Sequence, residues 1–283
     1  DARFIGTIED RKDVLARYPA SAAIYLPDGK VPAQGWTLRQ PDLAKTLERL
    51  AAKGADGFYK GETATLLVSA SRGAGGNWTA ADLEAYRVKE REPLSVDYKG
   101  YRIVTAPPPS SGGVAIAEVL NILAGFDLAK LDLAHATHLT IEAMRRAFRD
   151  HNEYLGDPDF VKMPLDMLLS KYYADGLRAT ISPDKATPSD LLPAAMAADP
   201  GMHTTHFSVI DADGNMVAST LTVNLEFGSG FVAKGTGVVL NDEMDDFALV
   251  PGQPNAFGLR GALANAPEPG KRMLSSMTPS FPG

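Results

Sequence analysis

The segment 181–203 divides the chain. It carries four prolines and, apart from Leu191-Leu192, few apolar anchors, so it reads as a flexible linker. Upstream of it, apolar residues recur mainly at helical spacing; downstream they alternate as in strands. The order is therefore helices, then linker, then strands.

The helical half has several readable elements. Residues 40–54 (QPDLAKTLERLAAKG) place Leu43, Leu47, Leu50 and Ala51 at helical spacing ahead of a glycine stop. A second helix fits about 61–72. The segment 79–86 opens with a Thr cap. Residues 101–109 read as a strand running into prolines, and 114–126 as a strongly apolar helix. Another helix fits about 134–155, with Leu139, Ala143, Met144, Ala147 and Phe148 on one stripe. A further helix fits 164–180, whereas residues 1–35 read as loop and short strand. In the second half, HFSVID and MVASTLTVNLEF flank a DADGN turn in the manner of a hairpin. FVAKGTGVVLND adds another strand.

Composition excludes several classes. The chain has 283 residues, 28 basic and 35 acidic side chains, and a formal net charge of −7. No basic run or stripe is present, so nucleic acid is not an expected partner. The absence of cysteine removes disulfides, thiolate metal sites and cysteine nucleophiles. No apolar run reaches the length of a membrane span. The opening DARFIGTIEDRKD lacks the basic start and apolar core of a signal peptide.

Four features invite a chemical reading. His135 and His138 (HATH), and His203 and His206 (HTTH), have no HExxH context, so surface helix positions suit the first pair and no metal is expected. Asp211–Asn215 resembles a calcium loop only faintly, with its glycine misplaced, and reads as a hairpin turn. Pro107–Gly113 (PPPSSGG) reads as a rigid strand-to-helix turn with serine caps, the other reading being an anion nest. The cluster 241–247 (NDEMDDF) holds four acids in five positions between apolar residues. Buried carboxylates need a cation, and a substrate ammonium would supply one.

The pair Thr204-Thr205 stands at the mouth of the hairpin. One reading is two strand threonines. The other is a nucleophile. A threonine hydroxyl needs a base, and a cut just before it would supply the new α-amine, with an unperturbed pKa of about 7.7–8.0. That arrangement asks for a flexible segment before the threonine and a strand carrying it, and both are present.

At this point the chain resembles the γ-glutamyltransferase (γ-glutamyl transpeptidase) family of N-terminal-nucleophile hydrolases. The motifs are TAPPPSSGG at 105–113, TTHFSVID-x-DGN at 204–215, STLTVNLEFGSG at 219–230, GVVLNDEMDDF at 237–247, PGQPNAFGL at 251–259 and KRMLSSMTPS at 271–280, in family order. The resemblance implies an α+β fold, a four-layer αββα sandwich. It implies that residues 1–203 belong to a large, helix-rich subunit and 204–283 begin a small, β-rich one. Together they would form one domain, incomplete at both ends. Thr204 matches the nucleophile, which would first attack the His203 carbonyl and release a two-fragment heterodimer. Thr222 matches the threonine that hydrogen-bonds it. Asn224, Glu243 and Asp246 match the holders of the substrate α-amino group, and Ser275 and Ser276 the pair that binds the α-carboxylate. Substrates would be γ-glutamyl compounds such as glutathione, with water, amino acids or peptides as acceptors. No cofactor and no metal are implied, and a periplasmic or secreted location is.

There are departures. The family's oxyanion glycines (G-x-P-G-G) and its arginine for the α-carboxylate are not recognisable, and Phe257 stands where many members carry a lid tyrosine. Two alternatives are a cephalosporin (glutaryl) acylase and an unprocessed, non-catalytic binding member. The acids Glu243 and Asp246 favour an α-amino acid substrate, since a glutaryl group has no amine.

Overall fold

The computed structural model describes residues 1–192 and 204–282. The helices are α1 (Ala2–Asp10), α2 (Lys12–Ala16), α3 (Pro19–Tyr25), α4 (Pro41–Lys53), α5 (Asp56–Tyr59), α6 (Gly61–Gly73), α7 (Ala80–Ala85), α8 (Gly112–Leu123), α9 (Leu133–Tyr154), α10 (Leu165–Leu168) and α11 (Lys171–Ala179). The strands are β1 (Leu94–Tyr98), β2 (Tyr101–Thr105), β3 (Thr204–Ile210), β4 (Met216–Thr222), β5 (Val232–Ala233), β6 (Val238–Val239) and β7 (Ser280–Pro282). The chain forms two compact units. The first comprises Asp1–Glu90 and Thr222–Asp242, the second Arg91–Leu221 and Glu243–Gly283.

In the first unit the opening residues are helical, not loop and strand. Asp1 caps α1 by accepting from the Phe4 N–H at 2.9 Å, and Pro19 starts α3 at the position where its missing N–H costs nothing. These helices bury Ile8, Leu15, Tyr25 and Leu26 together with Val232. Ser21, fully buried on α3, donates to the Gly230 carbonyl at 2.7 Å and accepts from the Val232 N–H at 2.9 Å, so one hydroxyl fixes β5. Thr46 on α4 likewise donates to the Thr236 carbonyl at 2.8 Å. The segment 231–242 is not one strand but a small hairpin, β5 paired with β6, because Gly235 and Gly237 turn the chain at positive φ. Thr79 caps α7 through a full capping box with Asp82.

In the second unit β1, β2 and β7 form an antiparallel sheet in that order. Lys99 and Gly100, both at positive φ, make the two-residue turn between β1 and β2. Helices α8, α9 and α11 share a core of Ile122, Leu123, Leu139, Ala143, Ala174 and Leu177. The expected stripe on α9 is corrected in part: Met144 is exposed, and the same face instead buries Glu142, Arg146 and Asp150. Glu142 accepts from Arg146 at 2.7 Å and Arg145 at 2.6 Å. The expected helix over 164–180 is two helices, since Ser170 ends one and caps the next through the Tyr173 N–H.

A second buried acid lies on α8. Glu118 is 1% exposed, and among the described residues its Oε1 has no hydrogen-bond partner. Burial and the neighbouring Asp150 push its carboxyl far above the ordinary range, while Arg149 pulls the other way. Asp150 accepts from Arg149 at 2.6 Å and from the Tyr173 hydroxyl at 2.8 Å.

The hairpin of β3 and β4 forms as expected. Asp211 accepts at Oδ1 from the Asp213 N–H at 3.0 Å and the Asn215 N–H at 2.8 Å, and Gly214 takes positive φ. All of β3 is exposed, including Phe207, Val209 and Ile210. The expected linker 181–203 is described only to Leu192, and a short 3₁₀ turn covers Ser189–Leu191; the remainder, with His203, lies outside the described residues.

Candidate active site

The PPPSSGG segment at the end of β2 does not act as a set of helix caps. Ser111 precedes α8 in the helical region, at φ −79°, and its side chain caps nothing. Both its donors go elsewhere. The Ser111 N–H and hydroxyl donate to the one carbonyl of Ser275, at 2.7 and 2.9 Å. In return the Ser275 N–H donates to the Pro109 carbonyl at 2.8 Å, and the Ser110 hydroxyl donates to the Met277 carbonyl. Ser110 and Ser275 thus form a parallel bridge. The glycines permit this approach: a methyl on Gly112 would collide with Thr278, and one on Gly113 with the Ala106 carbonyl. The serine pair of the LSSM motif is therefore clamped through its backbone. Ser275 is half-buried and Ser276 is exposed, with the Ser111 and Ser276 hydroxyl oxygens 3.5 Å apart.

The acidic cluster forms a 3₁₀ turn, Glu243–Asp246. Glu243, Asp245 and Asp246 are half-buried, and Phe247 and Ala248 anchor the turn inside. The segment carrying Phe257 joins it, because the Ala256 N–H donates to the Asp245 carboxylate at 2.7 Å. The serine segment joins it through Asn265. This side chain, 4% exposed, donates from Nδ2 to the Asp246 carbonyl at 2.7 Å and accepts at Oδ1 from the Leu274 N–H at 3.0 Å. Glu243, Asp246, Phe257, Ser275 and Ser276 thus belong to one hydrogen-bonded part of the second unit. Thr204, the exposed first residue of β3, is in the same unit.

Thr222 and Asn224 belong to the first unit. The Asn224 N–H donates to the Thr222 hydroxyl oxygen at 2.9 Å. Asn224 is buried at φ +73°, a conformation that asparagine tolerates better than most residues. Its Nδ2 donates to the Asp242 carbonyl at 3.3 Å, and the Asp242 carboxylate accepts from the Leu225 N–H at 3.1 Å. One acid of the cluster therefore satisfies backbone.

The remaining candidates fall elsewhere. His135 sits on its own helix cap, 2.8 Å from Asp132, and His138 reaches the Ser182 carbonyl. His206 contacts the Thr220 hydroxyl at 2.7 Å. Among the described residues no three His, Asp or Glu side chains converge as metal ligands. A cavity of about 560 Å³ in the first unit, walled by Tyr59, Trp78 and Tyr86, touches none of the expected site residues. Asn265 was not singled out by sequence, and nothing in its local pattern distinguishes it. Ser111 and Asp242 lie in segments that were, the serine turn and the acidic run, but Ser111 reads in sequence as a helix cap and instead holds the Ser275 carbonyl.

The family model for gamma-glutamyltranspeptidase matches residues 1–281. The chain belongs to that family. Among curated family relatives, a glutathione hydrolase proenzyme of Pseudomonas sp. (strain A14) is 51% identical over 263 residues, 92% of this chain and 46% of the relative. Among solved structures, a cephalosporin acylase from Bacillus halodurans matches with a TM-score of 0.79 at 31% identity, covering 98% of this chain and 48% of its own. The Helicobacter pylori gamma-glutamyltranspeptidase matches with a TM-score of 0.65 at 35% identity, covering 71% of this chain and 58% of its own. The chain thus spans about half the length of the family relatives it matches. Its mixed helix-and-sheet architecture is that of these neighbours. No helix of the described residues is long and apolar enough to cross a membrane.

Proposed function

We propose that this chain carries the processing site and the donor-recognition elements of a self-cleaving γ-glutamyltransferase/glutathione hydrolase with the four-layer αββα architecture. The Thr204 hydroxyl oxygen attacks the His203 carbonyl carbon, and the peptide nitrogen leaves as the Thr204 α-amine. Water hydrolyses the resulting ester to a His203 carboxylate and a free Thr204, giving a heterodimer. In turnover the α-amine takes the proton of the Thr204 hydroxyl as its oxygen attacks the γ-carbonyl of the donor. The proton passes to the departing amine. Water or the amine of an amino acid or peptide then takes the γ-glutamyl group from Thr204. Phe257 lies on the segment that closes over the donor.

The observation that carries this reading is the joining of the acidic turn to the serine pair through Asn265. Glu243 and Asp246 suit the α-ammonium of a γ-glutamyl donor. The hydroxyls of Ser275 and Ser276 suit its α-carboxylate. A glutaryl acylase would need only the second set, and the curated relative that is 51% identical supports the γ-glutamyl reading over it. A periplasmic or secreted location goes with this function.

Intact mass and N-terminal sequencing test the processing step. Two polypeptides are expected, one beginning Thr204-Thr205-His206. A γ-glutamyl-anilide assay then tests the activity. An uncleaved chain across 203–204 that also lacks activity would point to a binding member of the family instead.

A further inference from the structure

We infer that Asn265 is a positioning residue that sets the separation of the two ends of the donor site and so the enzyme's preference for α-amino acid donors. The inference rests on the proposed roles of Asp246 and Ser275. Its basis is geometric. Asn265 is buried, and each end of its amide has one partner. Nδ2 holds the carbonyl of Asp246, and Oδ1 holds the N–H of Leu274, the residue before Ser275. Its backbone joins in, since the Asn265 carbonyl accepts from the Ala248 N–H at 2.9 Å and its N–H donates to the Ala262 carbonyl at 3.1 Å.

A planar amide has a fixed distance between its donor and its acceptor. With both ends engaged in a buried setting, the spacing between the acidic turn and the serine segment is held by one rigid group. An α-amino acid end has its ammonium and carboxylate on one carbon, so both must be met at once. A donor that lacks the amine needs the serine side alone. Asn265 touches neither substrate charge; it acts through the backbones that carry their partners.

Asn265→Asp separates these effects. It keeps an acceptor for the Leu274 N–H and replaces the donor to Asp246 with an oxygen that repels the carbonyl. In the cleaved enzyme, the KM for γ-glutamyl-anilide is expected to rise about tenfold with little change in kcat. The KM for glutaryl-anilide, which lacks the amine, is expected to change less than about twofold on the same scale. Equal losses for both donors, or a loss confined to kcat, would overturn the inference. Should Asn265→Asp yield no cleaved protein, Asn265→Gln, which keeps both amide groups but moves them out by one methylene, is measured with the same two donors, and the same outcomes support or overturn the inference. Asp246→Ala is run beside them. If it shows no selectivity between the donors, the role of Asp246 fails and the inference with it. If it does and Asn265→Asp does not, the inference alone fails.

Discussion

Ser111 commits both of its hydrogen-bond donors to a single carbonyl, that of Ser275, 164 residues away in sequence. This is a long-range tie between the start of α8 and the segment proposed to hold the donor carboxylate. Ser111→Ala removes one of the two bonds and leaves the other. An expected consequence is a rise of about three- to tenfold in KM for a γ-glutamyl donor, from one lost hydrogen bond. Ser111→Cys should recover part of it. Steady-state kinetics on the three proteins measure the effect, and an unchanged KM would show that the clamp is dispensable.

Thr204→Ala removes the hydroxyl that both proposed reactions need. Neither chain cleavage nor γ-glutamyl-anilide turnover is expected. Denaturing mass spectrometry reads the first and absorbance the second. A variant that still splits at 203–204 would remove Thr204 from the processing step.

Glu118 affects stability through pH. Burial raises its folded pKa, Asp150 raises it further, and Arg149 only partly offsets them. Tyr173, bonded to Asp150, is the fourth member of the cluster. A carboxyl whose folded pKa lies above its ordinary value of 4.5 keeps its proton in the folded state while the unfolded chain loses one. Its contribution is thus full below that value and declines as pH rises above it. Glu118→Gln stays neutral throughout. Urea denaturation at pH 5 and pH 8 should show a gain in relative stability for the variant that grows with pH. A constant difference would contradict the assignment.

Glu142 acts in the opposite sense. Burial pushes its pKa up, but hydrogen bonds from Thr187, Arg146 and Arg145 outweigh this and hold it at about 2. Its stabilisation is present above the ordinary 4.5 and disappears as pH falls from there toward 2. Glu142→Gln leaves Arg146 buried without its charge partner, which typically costs about 3 kcal/mol. Thermal melts at pH 7 should show a large loss, and melts near pH 3 a smaller one. An equal loss at both values would mean that packing, not charge, holds this pair.

Much of the local structure was legible in the sequence. Leucine spacing and a glycine stop marked α4, Thr79 marked the start of α7, and Asp211 through Asn215 marked the turn between β3 and β4. In these places the residues that decide the conformation lie within a few positions of one another. The motif order was also enough to identify the family. What the sequence did not disclose depends on partners far along the chain. Ser111 looked like a cap until the Ser275 carbonyl claimed its hydroxyl. Asn265 sits in an unremarkable ANAP stretch and matters only because Asp246 and Leu274 come to either end of its amide. Met144 fitted an apolar stripe, yet Glu142, Arg146 and Asp150 were buried instead, because each found a counter-charge or hydroxyl on a neighbouring element. Periodicity records how a side chain faces its own helix. Only tertiary packing decides which polar groups meet, and here those meetings shape the candidate site.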